Sequence, residues 1–233
     1  KVYEIANKTE LDRAIADAFE AGYQGKLVVQ EMIAGDITTE RSVTAYVGQD
    51  HQVKVVSVGQ PLLEDPTPWG GGNHVAIMPV FNDEINKMIK TFFENIHYVG
   101  FANVDIKYDE RSKTYKAFDL NFRPGRSNYW ATLNGVNWIE WLLRDYNGEL
   151  TNVETVYANQ DPAKYQLWLQ MPARIFKQYA DQSNPAVQAG MKLVKQGRYG
   201  FSYKYSKDWN FMRWAIYVRS GQYYGKNFKR YSN

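Results

Sequence analysis

Two stretches of this 233-residue chain carry acidic side chains in a pattern suited to chemistry: FANVDIKY at 101–108 and TYKAFDLN at 114–121. Alternation with period two puts Asn103, Asp105 and Lys107 on one face of the first, and Asp119 and Asn121 on one face of the second. Joined as a hairpin through a loop over 110–114, the strands set Asp105 opposite Asp119 and Asn103 opposite Asn121. Like charges directly across a strand pair cost up to about 1 kcal/mol unless something compensates. A hard divalent cation would do so. Magnesium takes oxygen ligands and links one or two carboxylates to substrate phosphates, so Asp105, Asp119 and the Asn121 amide oxygen make a sensible set. The alternative is a hairpin with a solvated polar face, which is common for antiparallel strands.

The elements that must position this pair read as α+β. An opening strand through Val2, Tyr3 and Ile5 leads to a helix over 9–21, whose Leu11, Ile15, Ala18 and Phe19 fall on one stripe behind a Thr9/Asp12 capping pair. The apolar run 27–33 reads as a strand, and 42–47 and 52–58 as two more around the turn at Gly48, Gln49 and Asp50. A Pro- and Gly-rich loop over 61–73 precedes an apolar segment at 75–80. Its length suits a functional or mobile loop. Asn82 caps a second helix with Ile85, Met88, Ile89, Phe92 and Phe93 on one side. A third helix is expected over 128–146. Beyond it the composition changes: residues 1–146 hold 15 basic and 20 acidic side chains, residues 147–233 hold 13 and 5, and the latter carry 17 of the 36 aromatics. That shift predicts a second domain, basic, aromatic and mostly helical, over 147–233. Its helices are expected to start at Asp161-Pro162, at Asn184-Pro185 and after Asp208.

The stretch VGFANVDIKYDERSKTYKAFDLNFRPGR, residues 99–126, resembles the metal-binding end of the ATP-grasp carboxylate-amine ligases, where an aspartate strand is followed by an acidic residue, any residue, asparagine and then arginine. VVQEMIAGD, residues 28–36, is similar to that family's hinge strand, and 1–21 to the strand and helix after its glycine-rich phosphate loop. The resemblance covers 1–146 in order, and NFRPGRSNYW is most similar to the D-aspartate ligase-like branch. It implies an ATP-grasp-like antiparallel sheet with flanking helices and an enzyme that ligates a carboxylate, through an acyl phosphate, to an amine. It further implies that Gln30, Glu31 and Ile33 border the adenine, that Asp36 meets the ribose, and that Asp105, Asp119 and Asn121 hold magnesium. Arg123 and Arg126 would face phosphate or a carboxylate substrate. Asp119 stands where many relatives have glutamate, and Asn103 where several have arginine. The family's phosphate loop and amino-terminal domain are absent from the chain, so the resemblance implies a carboxy-terminal part that works with the missing region. The substrates it implies are small: an amino acid or a cell-wall precursor.

Composition narrows the rest. A formal charge of +3 is too mild to demand nucleic acid. The absence of cysteine excludes disulfides, thiolate metal sites and cysteine nucleophiles. No apolar run is long enough to span a bilayer, no secretory leader pattern opens the chain, and a cytoplasmic location is expected. His51, His74 and His97 lie far apart with no metal-ligand spacing, so no catalytic histidine is assigned. Glu64-Asp65 fits a solvated loop pair better than an acceptor site, and Gly70, Gly71 and Gly72 a flexible turn better than a phosphate cradle. The alternative function is a non-catalytic module binding an anionic polymer through Lys204, Lys207, Arg213, Arg219, Lys226, Lys229 and Arg230 interleaved with Tyr203, Tyr205, Trp209, Tyr223, Tyr224 and Phe228.

Overall fold

A computed structural model describes residues 3, 5–204, 206–208 and 210–232. The chain divides into two compact units, 1–33 and 34–233. Among its described residues the first holds one helix, α1 (Lys8–Glu20), followed by a stretch without regular structure. Asn7, rather than the expected Thr9, starts α1: its Oδ1 accepts from Glu10 N at 3.0 Å, and Glu10 returns a carboxylate oxygen to Ala6 N at 2.9 Å. The expected strand at 27–33 does not form. Val28 and Val29 are 86% and 65% exposed, and an apolar run without a partner edge has nothing to satisfy its backbone as a strand. Tyr3 and Ile5 likewise carry no strand, and Val2 lies outside the described residues.

The second unit is built on one sheet. Its strands are β1 (Glu40–Val47), β2 (Val53–Glu64), β3 (His74–Val80), β4 (Gly100–Asp109), β5 (Thr114–Asn121), β6 (Val156–Tyr157), β7 (Leu167–Leu169) and β8 (Tyr199–Phe201). The order is β5-β4-β1-β2-β3-β7-β8, with β6 paired to β2. All pairings are antiparallel except β2 with β6 and β7 with β8. Alternation then sorts the two faces. Val43, Ala45, Val56, Val58, Ala102, Val104 and Ile106 face α2 (Asp83–Asn95), which buries Ile85, Ile89 and Phe93 against them. Asn82 caps α2 as expected, accepting from Ile85 N at 3.0 Å.

The opposite face is apolar at one end only. Tyr46, Val55 and Ile77 pack there under Trp130 of α3 (Tyr129–Leu133) and Trp138 of α4 (Trp138–Tyr146). These two helices replace the single helix expected over 128–146. Gly135 separates them at φ +94°, a backbone state that side chains disfavour, and Asn134 ties the break to Trp130 O and Gln166 O. A third cluster joins β3 and β7 to α5 (Ala173–Tyr179), α6 (Pro185–Lys195) and α7 (Phe211–Tyr231) through Phe176, Val187, Leu193, Tyr224 and Phe228. Residues 147–233 thus supply helices, as expected, and also three short strands that extend the same sheet. Asn184 caps α6, while Asp161 caps only a short 3-10 turn. Asn210, not Asp208, caps α7, and Asp208 instead pairs with Arg213 at 2.6 Å.

Candidate metal and substrate site

The polar end of that second face holds the residues singled out by spacing. Cross-strand registers place Asn103 beside Thr44, Asp105 beside Ser42 and Lys107 beside Glu40. On the other side of β4, Asn103 faces Asn121 and Asp105 faces Asp119, as the sequence predicts. The route to that register differs from the expectation. Near the turn Asp109 pairs with Thr114 and Ile106 with Ala117, and a bulge after Asp105 leaves Phe118 unpaired and restores the offset.

Asp105 is half buried, and its Oδ1 has no hydrogen-bond partner among the described residues. Burial pushes its carboxyl above the ordinary range, the charges of Asp119 and Glu40 add to this, and His74 and the Ser42 hydroxyl oppose it. Asp119 is exposed on the edge strand and accepts from Asn121 Nδ2 at 2.7 Å. These oxygen donors fit a hard cation: a pair of facing carboxylates, one with a buried oxygen awaiting a partner, is costly alone and is relieved by positive charge.

One strand step from Asp105, a second group forms that sequence spacing did not reveal. Ligand atoms of Glu40, Glu64 and His74 all lie within 4.8 Å of one another. His74 Nε2 is 3.3 Å from Glu40 Oε2, and Lys107 Nζ donates to Glu40 Oε1 at 3.1 Å. Burial alone would raise Glu40, but the hydrogen bonds from His74 and Lys107 outweigh it and hold the carboxyl below its usual range. Burial would lower His74, yet its bond to Glu40 and the charges of Asp105, Glu40 and Glu64 raise it. The signal for Glu40 and Lys107 was their alternation with Ser42 and Asp105. His74 carried none: Glu40 reaches it from β1, 34 residues away, and Glu64 faces it across the β2–β3 hairpin through an irregular register. His51 and His97, also far apart in sequence, meet edge to face at 5.5 Å on the outer turns.

The loop after β5 presses onto this face. A Cβ on Gly125 would stand 1.7 Å from Asn103 Oδ1, so only glycine allows the approach. Beyond it Arg126 is exposed and influences Tyr224 of α7, while Arg123 is exposed and donates to Pro124 O at 3.2 Å. Gln30, Glu31 and Ile33 lie in the unpaired stretch of the first unit. In the second unit Asp36 Oδ1 caps a 3-10 turn, accepting from Thr38 N at 2.7 Å and Thr38 Oγ1 at 2.5 Å. Gly70 sits in a turn wrapped on Asp65, which accepts from the Thr67 amide and hydroxyl.

No protein-family model matches the chain. Over 231 residues, 99% of its length, it is 40% identical to the D-aspartate ligase of Enterococcus faecium (strain Aus0004). The chain is a homologue of D-aspartate ligase. It spans 55% of that relative's length. Among solved structures it is similar to the L-amino acid ligase from Bacillus licheniformis, with a TM-score of 0.46 and 16% identity over 67% of this chain and 40% of that one. It is also similar to the N5-carboxyaminoimidazole synthetase from Staphylococcus aureus complexed with ADP, at 0.45 and 14% over 62% and 37%. Among the described residues no helix is long and apolar enough to cross a membrane. The basic aromatic tail is partly structural: Tyr224 and Phe228 belong to the core, and Tyr205 and Trp209 lie outside the described residues.

Proposed function

We propose that the chain carries the cation-binding part of an ATP- and magnesium-dependent ligase that joins a carboxylate to an amine, with D-aspartate, the substrate named for its relative, as one of the two partners and an amino acid or cell-wall precursor as the other. The observation that supports this best is the facing pair Asp105 and Asp119, with Asp105 Oδ1 buried and unpaired, in a chain 40% identical to that relative. ATP supplies the γ-phosphoryl that turns the carboxylate into an acyl phosphate, and magnesium supplies the positive charge this needs. In this reading Asp105, Asp119 and Asn121 hold the cation from β4 and β5. Arg126, exposed beside α7, and Arg123 offer guanidinium groups to phosphate or carboxylate oxygens. Asp36, at the start of the second unit, contacts the ribose. Gly125 lets the arginine-bearing loop close over Asn103. The 147–233 region, which extends the same sheet and packs α5, α6 and α7 on it, supplies a surface against which the substrates are held, and the remainder of the longer protein completes the nucleotide site.

The test is calorimetric titration with a non-hydrolysable ATP analogue and magnesium, on this chain and on the longer protein, beside Asp105→Asn and Asp119→Asn. Magnesium-dependent binding that both substitutions abolish is expected. Binding by the longer protein that neither substitution weakens overturns the reading. Binding to an anionic polymer with steep salt dependence, in place of nucleotide, would shift the function to the tail.

A further inference from the structure

We infer that α7 is a membrane-contact helix that seats the protein on the surface of an anionic phospholipid bilayer without crossing it. The inference stands apart from the ligase reading and rests on how α7 divides between core and solvent. One row of the helix, Gly221, Tyr224 and Phe228, is buried, the last two in the cluster shared with α5 and α6. At about 100° per residue the opposite row is Met212, Ile216, Arg219, Tyr223, Lys226 and Arg230, and every one of these is exposed. That row is apolar in its first half and mainly basic in its second. At the start of the helix Phe211 is 80% and Met212 72% exposed, and Phe211 stacks at 5.6 Å on Trp214, itself exposed.

Charge decides what covers this surface. The 21 residues of α7 include five Lys and Arg and no Asp or Glu. Of the five, only Arg213 has a carboxylate partner among the described residues, Asp208 at 2.6 Å. A helix that exposes Phe, Met and Trp beside a run of Lys and Arg matches an anionic bilayer on both counts. Its apolar side chains enter the boundary between headgroups and acyl chains, and its cations meet the lipid phosphates. A second segment extends the surface. Trp69, 67% exposed in the loop between β2 and β3, donates its indole N–H to Tyr223 Oη at 3.4 Å and meets Tyr231 edge to face at 5.8 Å. Such rings, apolar with one polar edge, suit the membrane interface. A second copy of the chain fits worse, because a self-complementary contact brings these cations towards their own counterparts. Single-stranded nucleic acid would use the charges and the rings but leave Met212 and Ile216 in water.

The experiment sediments this chain and the longer protein with unilamellar vesicles of phosphatidylcholine alone and of an equal mixture with phosphatidylglycerol, at low and at high sodium chloride. Both proteins should pellet with the anionic vesicles at low salt, stay in solution with phosphatidylcholine, and be released as salt rises. Lys226→Gln with Lys229→Gln should weaken the partition about thirtyfold, from about fivefold for each surface cation. Phe211→Ser with Met212→Ser should weaken it by about tenfold or more, because apolar burial contributes independently of charge. Both of those side chains are exposed, so the urea midpoint should match the parent's; should it fall, Ile216→Ser takes their place and should weaken binding in the same direction. Failure of the longer protein to bind anionic vesicles, equal binding to phosphatidylcholine, or binding that the serine substitutions leave unchanged overturns the inference. Tighter binding of an oligothymidylate, indifferent to the serine substitutions, overturns it in favour of nucleic acid. Self-association without vesicles that those substitutions abolish overturns it in favour of a second copy.

Discussion

Asp105→Asn should stabilise the chain without magnesium and abolish its stabilisation by magnesium. The carboxylate of Asp105 faces that of Asp119 across the strands, is raised by burial, and leaves Oδ1 without a partner among the described residues. Asparagine keeps the shape and one polar oxygen but removes the charge, which relieves its burial and the like-charge cost and forfeits the attraction of His74, for a net gain of about 0.5–1 kcal/mol. The pH dependence fixes the sign. The folded carboxyl is raised above its ordinary value of 3.8, so the folded state binds the proton more tightly than the unfolded one. Its stabilising contribution is complete below the unfolded value and is lost as pH rises through the folded one. The advantage of asparagine therefore exists at neutral pH and vanishes below about pH 4. Urea unfolding followed by tryptophan fluorescence, in EDTA and in magnesium, measures both effects. Magnesium at about a hundred times its dissociation constant should stabilise the parent by about 2.7 kcal/mol and leave the variant unmoved. A variant less stable than the parent in EDTA, with the same m-value, would show that the carboxylate holds the fold together and refute this account of the pair.

Three other substitutions probe the frame around the site. Gly125→Ala drives a methyl group onto Asn103 Oδ1 and should cost about 1–3 kcal/mol in urea, with Asn103→Ala recovering part of the loss in the double variant. Lys54, at 0% exposure, is paired with Asp50 at 2.6 Å. Asp50→Asn should destabilise by about 3 kcal/mol because it strands a buried cation, whereas Lys54→Met should be near neutral in the same assay, and equal losses would show the pair to be worth more than its desolvation. Phe228→Ala removes a ring at 1% exposure from the cluster joining α5, α6 and α7, and a midpoint shift corresponding to about 3–5 kcal/mol is expected. A shift under 1 kcal/mol would detach α7 from the cooperative unit.

The sequence made the hairpin of β4 and β5 legible because its information is local: period-two alternation fixes the faces, and a short turn fixes the register. Even there, Asp105 and Asp119 meet through a bulge at Phe118 that no alternation pattern announces. The helix α2 was equally plain, since Asn82 and the Ile85/Ile89/Phe93 stripe specify cap and face together. What failed was reading pairing from composition. The run 27–33 has strand residues but no partner edge, and the short strands β6, β7 and β8 have too few residues to signal against a helical background. His74 failed for a related reason: the β2–β3 pairing sets Glu64 opposite it across a bulged register, and Glu40, 34 residues away, is brought to it only by the further β1–β2 pairing.

The same β1 face explains why chemistry belongs at one end of the sheet. Along β1, residues of one face run Glu40, Ser42, Thr44, Tyr46, and their β4 partners run Lys107, Asp105, Asn103, Phe101. At the Tyr46 end, Trp130 and Trp138 close the face, where Tyr46 is 2% exposed and packs its ring 4.9 Å from Phe101. An apolar lid of that kind cannot extend to the Glu40 end without leaving two glutamates, a lysine and Asp105 desolvated, at a cost of several kcal/mol per charge. The face therefore stays polar there, and the fold carries a facing pair of carboxylates and buried oxygens of Asp105 and Thr44 that lack a hydrogen-bond partner among the described residues, which packing alone does not require. Stability sacrificed at one end of an otherwise well-packed sheet marks the place where ligands complete the structure.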